Sequence, residues 1–270
     1  MDKVLDRYDA TALRRLFEDG GIIAALERKG FERLELVIES AGRALPHALL
    51  FGHKADTRFL LLDGCVGEAT VQPAFFKQRD YPMDHPIELA VVHWVREEDP
   101  TAAFSADRPP LPLQEHPGLG VLRLAFRVIA RIAGDLGKDG VASVPKFFHD
   151  AAIFLHSRLF LFLDGEEQGR FEALARDLRH LRLGDASLAA IAGAVRDMHG
   201  GVVQWVPGYQ IFPLSPILTA YFHSPQYAVR VAAGLSESRF TVDAGYSPMP
   251  EMPAAQSRQR ASRMRFSRTE

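Results

Sequence analysis

Cysteine is nearly absent from this chain, Cys65 being the single one in 270 residues. One thiol builds no disulfide framework within the chain and no Cys-based zinc site. Lysine is scarce too, 6 of the 32 basic residues, the rest being Arg. Long apolar runs are missing: no stretch approaches the ~18 residues of a membrane span. The nearest, 151–163, is interrupted by His156, Ser157 and Arg158. The opening residues, MDKVLDR, alternate charged with apolar positions and lack the apolar core of a standard secretory signal. The expected location is the cytoplasm. Nor is there an excess of charge of one sign. Thirty-two basic against thirty-four acidic residues leave −2, which argues against a nucleic-acid coat protein.

What is present is ordinary for a folded domain: 47% apolar and 24% charged residues. At ~150 residues per domain, the length suits one large domain or one with an appendage. A chain this long buries ~70–75% of the surface its unfolded form exposes, so no metal or disulfide staple is required.

Residues 10–29 carry apolar side chains at helical intervals, with Gly20-Gly21 a potential break. Three strand-like segments follow: Arg33–Ser40, in clean alternation, then His47–Gly52 and Arg58–Leu62 around the turn Lys54-Ala55-Asp56. Ile87–Val95 is apolar enough to be a central strand. The passage 99–117 holds five prolines and suits neither helix nor central strand. A helix is expected from Gly118 to about Leu136, with Gly137 as its natural stop. A strand at 141–144, a helix at 146–157 and a strand at 159–163 complete the unit. Beyond it, helices are expected at 166–180, 186–199, 217–222 and 225–233, with the aromatic connector 205–209 between them. Order is expected to fade beyond about Ser236. The last sixteen residues carry five Arg and one Glu and read as a flexible basic tail. The body without them has a net charge of −6.

The chemically informative part is the centre. Gly118-Leu119-Gly120 opens a helix directly after a loop. Glycines there let backbone N–H groups approach a ligand, and a helix N-terminus adds partial positive charge. That combination suits a pyrophosphate. The Rossmann pattern fails because Arg stands at 123, and no Walker lysine follows.

Residues 33–163 resemble the GCN5-related N-acetyltransferase superfamily. In that family a central strand leads into an acetyl-CoA loop of pattern Gln/Arg-x-x-Gly-x-Gly/Ala, then a long helix, a strand and a helix bearing Asn-x-x-Ala and often a Tyr. Here the loop reads Glu115-His116-Pro117-Gly118-Leu119-Gly120, with Glu115 in the Gln/Arg slot. The later helix matches at Ala152, with His149 in place of the Asn and His156 in place of the Tyr. The resemblance implies an α/β (α+β) fold: a mixed, largely antiparallel central sheet flanked by helices, carrying a helical C-terminal extension. The expected division is 1–163, 164–236 and a tail at 237–270. It also implies acetyl-CoA or a longer acyl-CoA as co-substrate, and no metal. The pyrophosphate would be cradled by backbone N–H groups from Gly118, Leu119, Gly120 and Val121, with His116 and Arg123 beside it. Glu88 and His93, on the central strand, are the candidates for taking the proton of an amine acceptor, with Glu97 and Glu98 just beyond. His156 would return a proton to the departing thiolate.

The aromatic content of the extension (Trp205, Tyr209, Phe212, Tyr221, Phe222) suits a small-molecule or lipid-like acceptor. A nucleic-acid contact is expected from the basic tail or not at all, and the sequence leaves a homo-oligomer open. A catalytically silent binding protein on the same fold is the alternative. A hydrolase finds no nucleophile motif: Gly-x-Ser-x-Gly and His-Glu-x-x-His are both missing. Plainer roles compete for several residues. Cys65 reads as a small buried side chain, Arg123/Arg127/Arg131 as a solvated helix face, and Glu97-Glu98-Asp99 as a solvated strand end.

Overall fold

The computed structural model describes residues 2–105, 108–157, 159–206 and 208–246. The chain begins with α1 (Ala10–Asp19), whose first turn is capped by the Asp9 carboxylate accepting from the N–H of Ala12 at 2.8 Å. Gly21, at φ +78°, breaks the 10–29 helix and starts α2 (Ile22–Glu27). Then come β1 (Glu32–Glu39), β2 (His47–Lys54) and β3 (Thr57–Val71), followed by a short α3 (Pro73–Lys77) and β4 (Ile87–Glu97). The Pro-rich loop leads to α4 (Leu122–Asp135), β5 (Gly140–Ser143), α5 (Phe148–His156) and β6 (Leu161–Phe162). Past these lie α6 (Gly165–Asp177), α7 (Leu183–Ile191), β7 (Val195–Asp197), β8 (Gln210–Pro213), α8 (Pro216–Phe222), α9 (Pro225–Glu237) and β9 (Phe240–Val242).

The main sheet has seven strands in the order β1-β2-β3-β4-β5-β8-β6, and a two-stranded sheet joins β7 to β9. Every neighbouring pair in the main sheet is antiparallel except β4 and β5. That parallel pair needs a crossover, and α4 supplies it. The protein therefore has the mixed, largely antiparallel α/β sheet flanked by helices that its sequence led us to expect.

Helices cover both faces of the sheet. On one, Ala90, Val92 and Val141 pack with Ala133 of α4, and α1 and α2 share a buried cluster with Ala125, Val128 and Ile132. On the other, Ile87, Leu89 and Val91 pack with Phe76, Tyr221 and Phe222. Each fully buried side chain of this kind contributes about 1.5–3 kcal/mol. No helix among the described residues is long and apolar enough to cross a membrane.

Several elements differ from the sequence reading. Strand β3 continues nine residues past Leu62, through Asp63-Gly64-Cys65 and Gly67-Glu68. Those residue types are poor strand formers, and pairing to β2 and β4 on either side overrides them. The helix expected over 186–199 ends at Ile191, because Gly193 adopts φ +66° and β7 begins at Val195. Strand β8 and helix α3 carry no strong local signal; β8 exists because β5 and β6 pair with it. Order also extends past Ser236 to β9.

Candidate functional site

Strands β4 and β5 pair from Leu89↔Gly140 to Val92↔Ser143. There β5 stops, while β4 runs on to Glu97 paired with β3 alone. The sheet consequently opens at the carboxyl ends of two parallel strands, the place where open α/β sheets bind ligands. A β-bulge marks the same point. Cys65 faces Trp94 and Val66 faces Val92, so His93 is the extra residue. Bulges re-aim side chains and are enriched beside active sites. The His93 imidazole lies over Gly67, where a Cβ would come within 2.8 Å of Nε2.

The loop after β4 returns to the strand's end. The N–H of Asp99 donates to the carbonyl of Pro117 at 2.7 Å, which brings 118–121 beside Glu97. The Glu97 carboxyl group then fills the cradle at the start of α4. The N–H of Gly120 donates to Oε1 at 3.3 Å, the N–H of Val121 donates to Oε2 at 3.1 Å, and Leu119 contributes a further backbone hydrogen bond. A Cβ at Gly118 would meet Glu97 Oε1 at 3.1 Å, and Gly120 sits at φ +72°. Burial pushes the Glu97 carboxyl above its ordinary value, although the three N–H groups and the charge of Lys29 act against it. Glu97 is thus no solvated strand end. The return of the loop buries it, an arrangement that linear sequence does not display.

Of the residues expected in the cradle, Leu119 and Val121 are buried while Gly118 and Gly120 are exposed. His116 is half-buried in the loop and its charge acts on Glu98. Arg123 points to solvent with Arg127 and Arg131, the last pairing with Asp19 at 3.0 Å.

The catalytic candidates are dispersed. His93 lies at the bulge, exposed. Glu88 begins the same strand, roughly 30 Å from Glu97 at ~3.3 Å per residue. There it accepts from Thr70 Oγ1 at 2.9 Å and faces Lys138 at 3.7 Å, so the structure does not bring it to the loop. His156 ends α5 on an exposed surface, about 12 Å along the helix axis from Phe148.

His149 is a satisfied internal histidine. Its Nδ1 lies 2.7 Å from Ser187 Oγ and its Nε2 3.4 Å from Asp150. Burial lowers the imidazole's pKa and raises that of Asp150. Ser187 is wholly buried, so this Ser–His–Asp grouping has no access for a substrate. Cys65 is buried as expected, and burial with Asp63 nearby keeps its thiol protonated. Among the described residues, no three His, Cys, Asp or Glu side chains are grouped as a metal ion requires.

Sequence reasoning missed one further grouping, across β2, β3 and β4. His47 Nδ1 lies 2.6 Å from Asp63 Oδ1, and Trp94 Nε1 donates to Asp63 Oδ2 at 3.0 Å. These residues are 16 and 31 positions apart, and only the strand register unites them.

No protein-family model matches the chain, and no curated protein matches it. Among solved structures it is similar to AtaT complexed with acetyl-methionyl-tRNAfMet. The identity is 17% over 59% of this chain and 81% of that one, with a TM-score of 0.29.

Proposed function

We propose that the protein binds an acyl-CoA at the opening between β4 and β5 and transfers the acyl group to a small-molecule or lipid-like amine. One observation carries the reading. The loop and helix start that the family resemblance assigns to a pyrophosphate form a cradle of N–H groups that already holds two acceptor oxygens, those of the Glu97 carboxyl group. These donors fit a phosphate oxygen as they fit a carboxylate oxygen. The donor supplies an acyl group activated as a thioester. The protein's part is to hold the anionic end at Gly118–Val121, to open by displacement of Glu97, and to take the acceptor's proton near His93. The amine nitrogen bonds to the acyl carbon as the carbon–sulfur bond breaks, and free thiol is released.

A thermal-shift titration with acetyl-CoA and longer acyl-CoAs tests the binding half. Ligand at a hundred times its Kd stabilises the native state by about 2.7 kcal/mol, a readily measured rise in the midpoint. No shift with any acyl-CoA at millimolar concentration contradicts the proposal.

A second reading has its own support. Because Glu97 fills the cradle and Glu115 stands in the Gln/Arg slot, the protein can instead be a silent binding protein on the same fold. Acyl-CoA binding without thiol release across an amine panel favours that reading.

A further inference from the structure

The His47–Asp63–Trp94 grouping has a direction. A carboxylate only accepts, so on the short His47–Asp63 bond Nδ1 is the donor, and Nε2 is the ring nitrogen left for another partner. Trp94 Nε1, a donor only, holds the other carboxylate oxygen and so fixes the Asp63 plane. The side chains of His47 and Asp63 are 16% and 12% exposed: sheltered, yet with the imidazole edge reaching solvent. Nε2 has no hydrogen-bond partner among the described residues. An orienting carboxylate on Nδ1 with Nε2 left open is the geometry of a general base.

The position is equally specific. His47 is directly opposite Cys65, which is directly opposite Trp94, and Asp63 lies two residues before Cys65. All four therefore share one sheet face. On that face, Phe76, Tyr221 and Phe222 cover the first half of β4, whereas His93 and Trp94 are exposed. The Lys146 ammonium, from the loop between β5 and α5, sits 4.8 Å from the Trp94 ring centroid. Trp94 is three residues, about 10 Å, before Glu97 along β4. The charged and titratable groups around the imidazole are Asp63 and Cys65 on β3, His93 on β4, Lys146 over Trp94, and Arg43, whose charge acts on Cys65.

We infer that His47, oriented by Asp63 and Trp94, is a general base whose Nε2 takes the proton of an amine acceptor bound on the open face beside the β4/β5 opening. The acyl half of this inference rests on the proposed function; the base does not. As the nitrogen–carbon bond forms and the carbon–sulfur bond breaks, the amine proton passes to Nε2. It leaves the imidazolium for the departing thiolate, so His47 ends neutral and the products are an amide and a free thiol. Asp63 and Trp94 are positioning residues.

Two readouts test this. With acetyl-CoA and the amine that supports thiol release, H47Q should lower kcat by about 10²–10⁴-fold with KM for acetyl-CoA unchanged. W94F, which keeps an aromatic ring but removes the indole N–H, should lower kcat less, again at constant KM. Wild-type turnover in H47Q overturns the inference. The second readout needs no acyl-CoA. Diethyl pyrocarbonate with peptide mass spectrometry should modify His47 faster than the more exposed His156, and W94F should slow that reaction. His47 labelling no faster than His156 overturns the base. Fast labelling in a protein that binds no acyl-CoA keeps the base and discards the proposed function.

Discussion

The Glu97 carboxyl group accepts a hydrogen bond from the N–H of Val121 at 3.1 Å, so the end of β4 is stapled to the start of α4 by a side chain from within the chain. That bond closes the loop that carries Gly118 and Gly120, and it sets the terms on which any outside anion can bind.

It also predicts a pH dependence. Burial raises the Glu97 carboxyl above its ordinary value, so the folded protein holds that proton more tightly than the unfolded chain. The stabilisation from that proton is full below the ordinary carboxylate range and is lost as pH rises through the raised value. E97Q cannot lose it. Urea midpoints of wild type and E97Q should therefore diverge in favour of E97Q as pH rises from the ordinary carboxylate range through the raised Glu97 value. The other carboxyls raised by burial, Glu98, Asp150 and Glu167, are common to both proteins. A gap that stays constant with pH, or moves the other way, contradicts the assignment.

Helices α6 and α9 meet backbone to backbone. A Cβ at Gly169 would come far inside van der Waals contact with the Val231 carbonyl oxygen, and one at Gly234 would collide with that of Glu166. G169A should cost at least the ~1–3 kcal/mol typical of overpacking. For a protein of this size that lowers Tm by several degrees. An unchanged Tm would show that the helices sit farther apart than described.

Two buried hydroxyls tie β6 to the C-terminal helices. Tyr227 donates to the carbonyl of Phe162 and Tyr221 to that of Leu163, each at 2.8 Å. Burial pushes both phenols well above their ordinary value, so neither ionises in the usable pH range. Y227F keeps the ring and removes the donor, and should destabilise by about 1–3 kcal/mol in denaturant titration. A change below ~0.5 kcal/mol would mean that carbonyl has another donor.

The strand alternation of 33–40, the apolar run at 87–95 and the Gly137 stop are local signals, and β1, β4 and α4 follow from them. The second half of β3 and the whole of β8 are strands because of their neighbours, and a single chain read in order does not display neighbours. The candidate site divides the same way. Gly118 and Gly120 announce the cradle through residue type, whereas the carboxylate that fills it comes from 23 residues upstream. His47 and Asp63 look like ordinary strand positions until the register pairs them. Glu88 and His93 share a strand in the sequence, yet only His93 stands at the opening, because five residues of extended chain separate them by roughly 17 Å.

The most direct test is the Kd for acetyl-CoA, measured by calorimetry on wild type, E97A and G118D. Removing the resident carboxylate frees charge-assisted hydrogen bonds of about 1.5–3 kcal/mol, so E97A should bind about 10–100-fold more tightly than wild type. G118D, which puts a second carboxylate against the cradle, should not bind. Equal or weaker binding by E97A, or undiminished binding by G118D, would mean that the Glu97 cradle is not where the acyl donor sits.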